Sequence, residues 1–382
     1  MASTIKVTNI DTPDSTGNIT VDRPLSGSGA SLTALNATQL TSGTIPMARL
    51  SGTLPALNGS ALTNLPSTAI RRNAIINGNF DVWQRGTSFA GVTATGYQAD
   101  RWEVAPAAGC TMTISRQAFT AGQTDVPNEP SYFLRADITT AGSANAEISQ
   151  KIEDVRTFAG QTIMVSFYAK STAGTQGLNC RMHQDFGSGG STRVTTGVSV
   201  KTLSSSWQKF TFSVALGSIS GKTIGTGSYL AFNFYWANNS TSNDVDLAQV
   251  KVEKGSSATD FEPKSYGEEL KLCQRYYYAH IGPNQGSNQL IGKGAWNSAT
   301  QLEATVHFKE TMRTTATLVT VTGTNYYRYH GRGTSSYLSW VGIHAQQSNC
   351  ASLYTTITGT QGWGANLVCT DAAAYVHFNA EL

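Results

Sequence analysis

The sequence predicts an all-β chain in three parts that associates with further copies of itself. The parts are an extended N-terminal segment built by several copies side by side, a jelly-roll β-sandwich, and a C-terminal β-rich domain. Three observations predict this. Between Leu35 and Leu65 a phrase recurs at short spacing: Ser42-Gly43-Thr44-Ile45-Pro46 returns as Ser51-Gly52-Thr53-Leu54-Pro55, and Leu35-Asn36-Ala37-Thr38-Gln39-Leu40-Thr41 as Leu57-Asn58-Gly59-Ser60-Ala61-Leu62-Thr63. Residues 1–70 hold no Phe, Tyr, Trp, His or Cys, and aromatics begin at Phe80. From there on, alternate residues are apolar in run after run, the period of strands with one buried face.

Residues 1–34 read as an attachment segment. Thr4–Ile10 and Gly17–Val21 alternate as short strands around the turn residues Asp11, Pro13, Asp14 and Gly17. Residues 35–70 read as a repeat shaft or neck. Its aliphatics Leu40, Ile45, Leu50, Leu54, Leu57, Leu62 and Leu65 are too sparse to be buried within one chain. Two or three chains in parallel can bury them, so these residues are assigned to a neck between chains, which is a trimer neck if the chain number is the one implied by the resemblance given below.

Residues 71–264 are assigned to the sandwich. Ile163, Val165, Phe167 and Ala169 share one strand face, as do Phe210, Phe212, Val214 and Leu216, and Leu230, Phe232, Phe234 and Trp236. Gly-, Ser- and Asn-rich turns separate these runs, and about eight such strands indicate a jelly roll. Trp83, Trp102 and Trp236 are expected to serve core or inter-chain packing. Residues 265–280 are assigned to a short helical linker, because Ser265–Arg275 is the one stretch rich in helix formers. Residues 281–382 alternate again, with Leu302, Ala304, Val306 and Phe308 on one face, and Val376, Phe378, Ala380 and Leu382 on another.

Composition excludes several classes. Charged residues are 13% of the 382 and the net charge is +3, with Arg71-Arg72 the only adjacent basic pair, so nucleic acid is not an expected partner. No apolar run is long enough to span a bilayer, and Met1–Lys6 lacks the apolar core of a secretory signal. The five cysteines are scattered, without metal-ligand spacing, and read as free thiols of a chain made in a reducing compartment.

At this point several stretches resemble a known family. The repeat LTSGTIPMARLSGTLPALNGSALTNL resembles phage tail-fibre shafts, and STIKVTNIDTPDSTGNITVDRP resembles tail-fibre N-termini. INGNFDVWQRGTSF followed by YQADRW resembles the opening of a β-sandwich found in tail fibres, and Val245–Gly255 with Thr259–Pro263 resembles its close. That sandwich is similar to carbohydrate-binding jelly rolls. The resemblance implies a homotrimeric fibre in the virion tail, assembled in the host cytoplasm. Its N-terminus would bind a tail or adaptor protein, and its C-terminal tip domain would bind a host cell-surface glycan or outer-membrane receptor. Two alternatives follow from the same family: a fibre that degrades polysaccharide, and a spacer carrying another fibre protein.

For the chemistry, the chain is read as a binding protein and not an enzyme. The tip offers only Glu303, Glu310, Asp371 and Glu381 as carboxylates, and nothing marks a pair fit for glycoside hydrolysis. No catalytic residue and no cofactor are assigned. Were a structural calcium held, as in many carbohydrate-binding jelly rolls, Asp81 and Asp246 are the candidate ligands, with solvated carboxylates or a structural ion pair as the preferred reading. The candidate receptor- or glycan-binding residues are Tyr326, Tyr327, Tyr329, Arg332, Tyr337, Trp340 and Trp363, with packing between the chains of the assembly as the alternative role of the aromatics. Aromatics with polar tips suit a wet recognition surface. Adjacent Tyr326 and Tyr327 cannot both enter one core from a strand.

Overall fold

The computed structural model describes residues 73–237, 244–282, 288–331 and 333–382. The attachment segment and all seven neck aliphatics, Leu40 to Leu65, lie outside the described residues. Those described fall within one compact unit, Thr68–Leu382.

The sandwich comprises β1 (Ser88–Val92), β2 (Gly96–Tyr97), β3 (Glu103–Ala105), β4 (Thr111–Ala118), β5 (Tyr132–Thr140), β6 (Asn145–Glu153), β7 (Thr162–Lys170), β8 (Gln176–Asp185), β9 (Val194–Leu203), β10 (Gln208–Ala215), β11 (Tyr229–Ala237) and β12 (Val245–Lys254). They form two six-stranded antiparallel sheets, β1-β4-β5-β12-β7-β10 and β2-β3-β6-β11-β8-β9. From β5 to β12, every connection but β8–β9 crosses from one sheet to the other. The orders β5-β12-β7-β10 and β6-β11-β8-β9 are those of a jelly roll.

Alternation explains the core. Ile163, Val165, Phe167 and Ala169 of β7, and Leu230, Phe232, Phe234 and Trp236 of β11, are all fully buried. Phe234 meets Phe167 edge-on at 4.8 Å and Phe232 at 4.6 Å. Each such side chain contributes roughly 1.5–3 kcal/mol by burial. Trp83, Trp102 and Trp236 are core residues of this chain, one of the two roles expected from the sequence.

The single α-helix of the described residues, α1 (Tyr266–Gln274), starts on a capping box. The Ser265 side chain accepts the Glu268 N–H, and the Glu268 carboxylate returns to the Ser265 N–H. The helix ends at Gln274 with Arg275 as its C-cap. Part of the segment read from sequence as helical linker is instead a strand, β13 (Tyr277–Ile281). The reason is the run Tyr276-Tyr277-Tyr278, whose rings fit a pleated, half-covered surface better than a helix turn.

The C-terminal domain continues with β14 (Gln289–Trp296), β15 (Gln301–His307), β16 (Thr317–Thr320), β17 (Tyr327–Gly331), β18 (Thr334–Leu338), β19 (Gly342–Gln346), β20 (Cys350–Thr356), β21 (Gly364–Cys369) and β22 (Val376–Asn379). A three-stranded sheet, β13-β22-β16, shares a core with a seven-stranded sheet, β18-β17-β21-β14-β15-β20-β19. Tyr278, Ile281, Val376 and Phe378 supply that core from the small sheet, and Ala304, Val306, Leu353 and Leu367 from the large one.

The two domains interlock through the stretch that opens the sandwich. Asn77 holds a left-handed backbone (φ 57°), a region that Asn enters more readily than most residues. Its side chain donates to the carbonyls of Val82 and Asp100 at 2.8 and 3.0 Å and accepts the Val82 N–H at 3.0 Å. Its N–H reaches Glu269 of the helix at 2.5 Å. The Asp100-Arg101 step thus placed faces the other domain. Arg101 is buried, ion-paired with Glu381, and stacked 3.5 Å over Tyr276. Arg85 pairs with Asp100 and Glu381 and lies 3.4 Å over Tyr277. Gln84 donates to the Tyr277 carbonyl at 2.6 Å, and Tyr97 and Lys151 both donate to the Leu382 carbonyl oxygen at 3.0 Å. Removing one partner from such a buried set leaves an uncompensated charge, which costs far more than breaking a surface pair.

Candidate functional site

The outward face of the seven-stranded sheet is built by strand parity. Leu302, Ala304 and Val306 of β15 point inward, so Gln301, Glu303 and Thr305 point out. Glu303 pairs with Tyr354 of β20 and Thr305 with Ser352, which puts those side chains on the same face. Glu303 is the hub. Its carboxylate accepts from Gln301 Nε2 at 3.1 Å, from Ser352 Oγ at 3.4 Å and from Asn297 Nδ2, and it pairs with His344 Nδ1 at 2.7 Å. Tyr354 lies 6.1 Å from the His344 ring and meets Trp340 edge-on at 5.3 Å. Trp340 is 36% exposed. The result is a fixed carboxylate bordered by one imidazole and two aromatic rings, on an open face.

A second neighbourhood lies toward the other edge. Tyr337 of β18 is 54% exposed and stands opposite Arg328 of β17, whose guanidinium is 5.5 Å from its ring. Arg328 also donates to Asn288 Oδ1. Together with Asn325, Thr370 and Asp371 they border an open hollow of about 370 Å³.

The predicted binding residues therefore separate. Tyr337, Trp340 and Trp363 are exposed. Tyr327 is fully buried, its hydroxyl donating to the Val321 carbonyl at 2.7 Å. Tyr329 is buried edge-on against Trp296 at 4.9 Å. Both point inward because β17 alternates, so in this chain they offer no surface to a ligand. Tyr326 precedes the strand and packs half-buried against the same core. Arg332 lies outside the described residues. Sequence reasoning missed Tyr354 and His344 as site residues. It had Glu303 on the polar side of its strand, but the partners come from β19 and β20, some 40 residues on, and only the ladder reveals them.

The two calcium candidates have different protein partners. Asp81 accepts from Asn79 at 3.0 Å. Asp246, fully buried, accepts from Arg135 Nε and Nη2, each at 2.7 Å, with Lys170 at 3.9 Å, and burial raises its carboxyl above the usual range. Among the described residues no three His, Cys, Asp or Glu side chains converge as a metal site.

No protein-family model matches the chain, and no curated protein does. Solved structures do. The chain is similar to the enzymatically active domain of bacteriophage CBA120 tailspike protein 4, at TM-score 0.31 and 14% identity, over 48% of this chain and 21% of that one. It thus spans about a fifth of that tailspike chain's length. A family 11 carbohydrate-binding module from Clostridium thermocellum matches at TM-score 0.29 and 13% identity, over 45% of this chain and 99% of its own. A putative sugar-binding protein from Bacteroides thetaiotaomicron matches at TM-score 0.33 and 13% identity, over 48% and 100%.

Proposed function

We propose that this chain is a subunit of a homotrimeric phage tail fibre that binds a glycan on the host surface and does not cleave it. The N-terminal segment attaches it to the tail, and the outward face of the C-terminal domain meets the host. The observation that supports the binding role is the Glu303–His344–Tyr354–Trp340 arrangement. A sugar presents apolar C–H faces and vicinal hydroxyls. Aromatic rings suit the first, and a carboxylate held by neighbouring donors suits the second, without the cost of ordering it on binding. Three copies carry three such faces, so weak single-site affinity becomes useful avidity.

The test is binding of the purified full chain to host cells. Replacing Trp340 and Tyr354 together by Ala is expected to lower apparent affinity at least ~10-fold, since buried aromatic anchors dominate such contacts, while leaving thermal unfolding nearly unchanged. Unaltered cell binding by the double variant would remove this face from the function. Incubation with isolated host glycan is expected to release no new reducing ends; steady release would establish the polysaccharide-degrading alternative instead.

A further inference from the structure

The outward face of the seven-stranded sheet has a second half, away from Glu303, and strand register maps it residue by residue. One row crosses four strands. Tyr337 of β18 stands opposite Arg328 of β17, Arg328 opposite Val368 of β21, and Val368 opposite Leu290 of β14. The next row runs Ser335, His330, Asn366, Lys293 and then Thr305 of β15. Arg328 points out because Tyr327 and Tyr329 on either side of it point in, and His330, Asn366 and Lys293 are exposed. Opposed residues lie about 5 Å apart and alternate residues along a strand about 7 Å, so Arg328, His330, Asn366 and Lys293 share a patch of about 10 by 7 Å.

The patch is cationic and its charges are unpaired. Arg328 is set in place, with its guanidinium 5.5 Å from the Tyr337 ring and its Nη2 donating to Asn288 Oδ1. Among the described residues its Nε–H, shut away from solvent, has no hydrogen-bond partner. A buried donor in that state is uncommon, and an ion or a water is the usual explanation. The side chains of Lys293, His330 and Asn366 also have no hydrogen bond or ion pair among the described residues. Neither row contains a carboxylate. Glu303 lies one row further on, held by His344. Asp371 lies beyond the Arg328 row on the opposite side, where it accepts the Ala373 N–H at 2.7 Å.

We propose that this patch binds a phosphate ester. A guanidinium, an ammonium, an imidazole and an amide with no carboxylate among them complement a compact oxyanion. The guanidinium supplies directed donors, and the flexible lysine supplies a mobile point charge. Asn366, between His330 and Lys293, adds an amide donor at the centre. The oxygens of a phosphate diverge and can meet several of these donors at once. Exposed Tyr337 and Leu290 flank the patch and offer apolar surface to the group that carries the ester. The inference rests on these cations and stands or falls apart from the glycan reading of the Glu303 end.

The experiment follows the phosphorus NMR resonances of glycerol phosphate and of inorganic phosphate as the full chain is added. Saturable shifts at millimolar concentration are expected for both. Arg328→Gln is expected to weaken binding at least ~10-fold, and Lys293→Gln, at an exposed position, about 2- to 5-fold. Asn366→Asp, which sets a negative charge between the cations, abolishes binding while circular dichroism stays unchanged. The Trp340→Ala, Tyr354→Ala variant binds phosphate as the wild type does, which separates this patch from the glycan contact. Co-sedimentation with phosphatidylglycerol vesicles, and not with phosphatidylcholine vesicles, would identify a lipid headgroup as the source of the ester; shifts without co-sedimentation would identify a soluble ester. The absence of a saturable shift with both phosphate probes would overturn the proposal. So would unchanged affinity in Arg328→Gln and Asn366→Asp.

Discussion

Single residues set the acid sensitivity of this molecule. His377 is buried, its Nδ1 2.5 Å from the Tyr277 hydroxyl, and Tyr375 stacks on it at 4.6 Å. Burial first, and the Arg85 charge second, push its pKa down to about 4. His183 is lowered to about 4 as well, again chiefly by burial. Because the unfolded chain holds these protons near pH 6.5, the stability each contributes is intact above that pH and is lost as pH falls toward 4. Asp100 works in the opposite sense. Burial outweighs the pull of Arg85 and raises it to about 6, so its ionisation opposes folding as pH rises from about 4 to 6. Between pH 7 and pH 5 the two histidines therefore lower stability and Asp100 partly offsets them; Glu153 and Asp185, where burial is outweighed by hydrogen bonds from Arg275 and Arg193, are held low and add to the loss further into acid. His377→Gln is expected to reduce the stability lost between pH 7 and pH 5 by about 2 kcal/mol, as read from urea midpoints at the two pH values. An unchanged difference would place the titrating group elsewhere.

Elements show what local pattern can and cannot encode. The inward sets of β7 and β11 were legible because period-two alternation is local and each apolar residue votes for the same face. The helix was legible to within a residue because Ser265–Arg275 is rich in helix formers, and the structure adds a capping box at its start. Ser265→Ala removes that cap and is expected to cost about 1 kcal/mol, with faster amide exchange in the first turn of α1, whereas Ser265→Asp should keep most of it. The strand at Tyr277 was not legible, since three aromatics after a helix give no local instruction to pair with β22, a hundred residues on. The binding residues suffered similarly. Tyr327 and Tyr337 look alike in sequence, yet one fills the core and the other faces solvent. Which face a strand turns inward is set by what its neighbours bring. The Arg328–Lys293 patch depended on the register of β17, β21 and β14, which has no compositional signature.

At the level of the whole molecule, the β-rich character of the described residues was visible in composition, because an aromatic-rich stretch with alternating apolar residues can build a single-chain core. The contacts that join the parts were not. Arg101 and Glu381 are separated by 280 positions, and nothing near either residue names the other. The assembly itself remains a prediction from the repeat. Sedimentation of the full chain is expected to give three copies. Leu50→Ser with Leu54→Ser is expected to shift that equilibrium toward monomer while the circular dichroism of the sandwich stays unchanged. A wild-type chain that sediments as a monomer would remove the neck assignment.

The pairing of β13 with β22 has one more consequence. The first and last strands of the C-terminal domain are neighbours in one small sheet, which carries Tyr277 under Arg85 and follows directly on Tyr276 under Arg101. Both ends of the domain are thereby tied to the sandwich at one place, while the outward-facing residues of β15, β18 and β20 touch neither the shared core nor the arginine clasp. Substitutions confined to those outward positions leave the seat formed by Arg85, Asp100 and Arg101 undisturbed. A chain built this way can change its outer face without having to relearn how to fold.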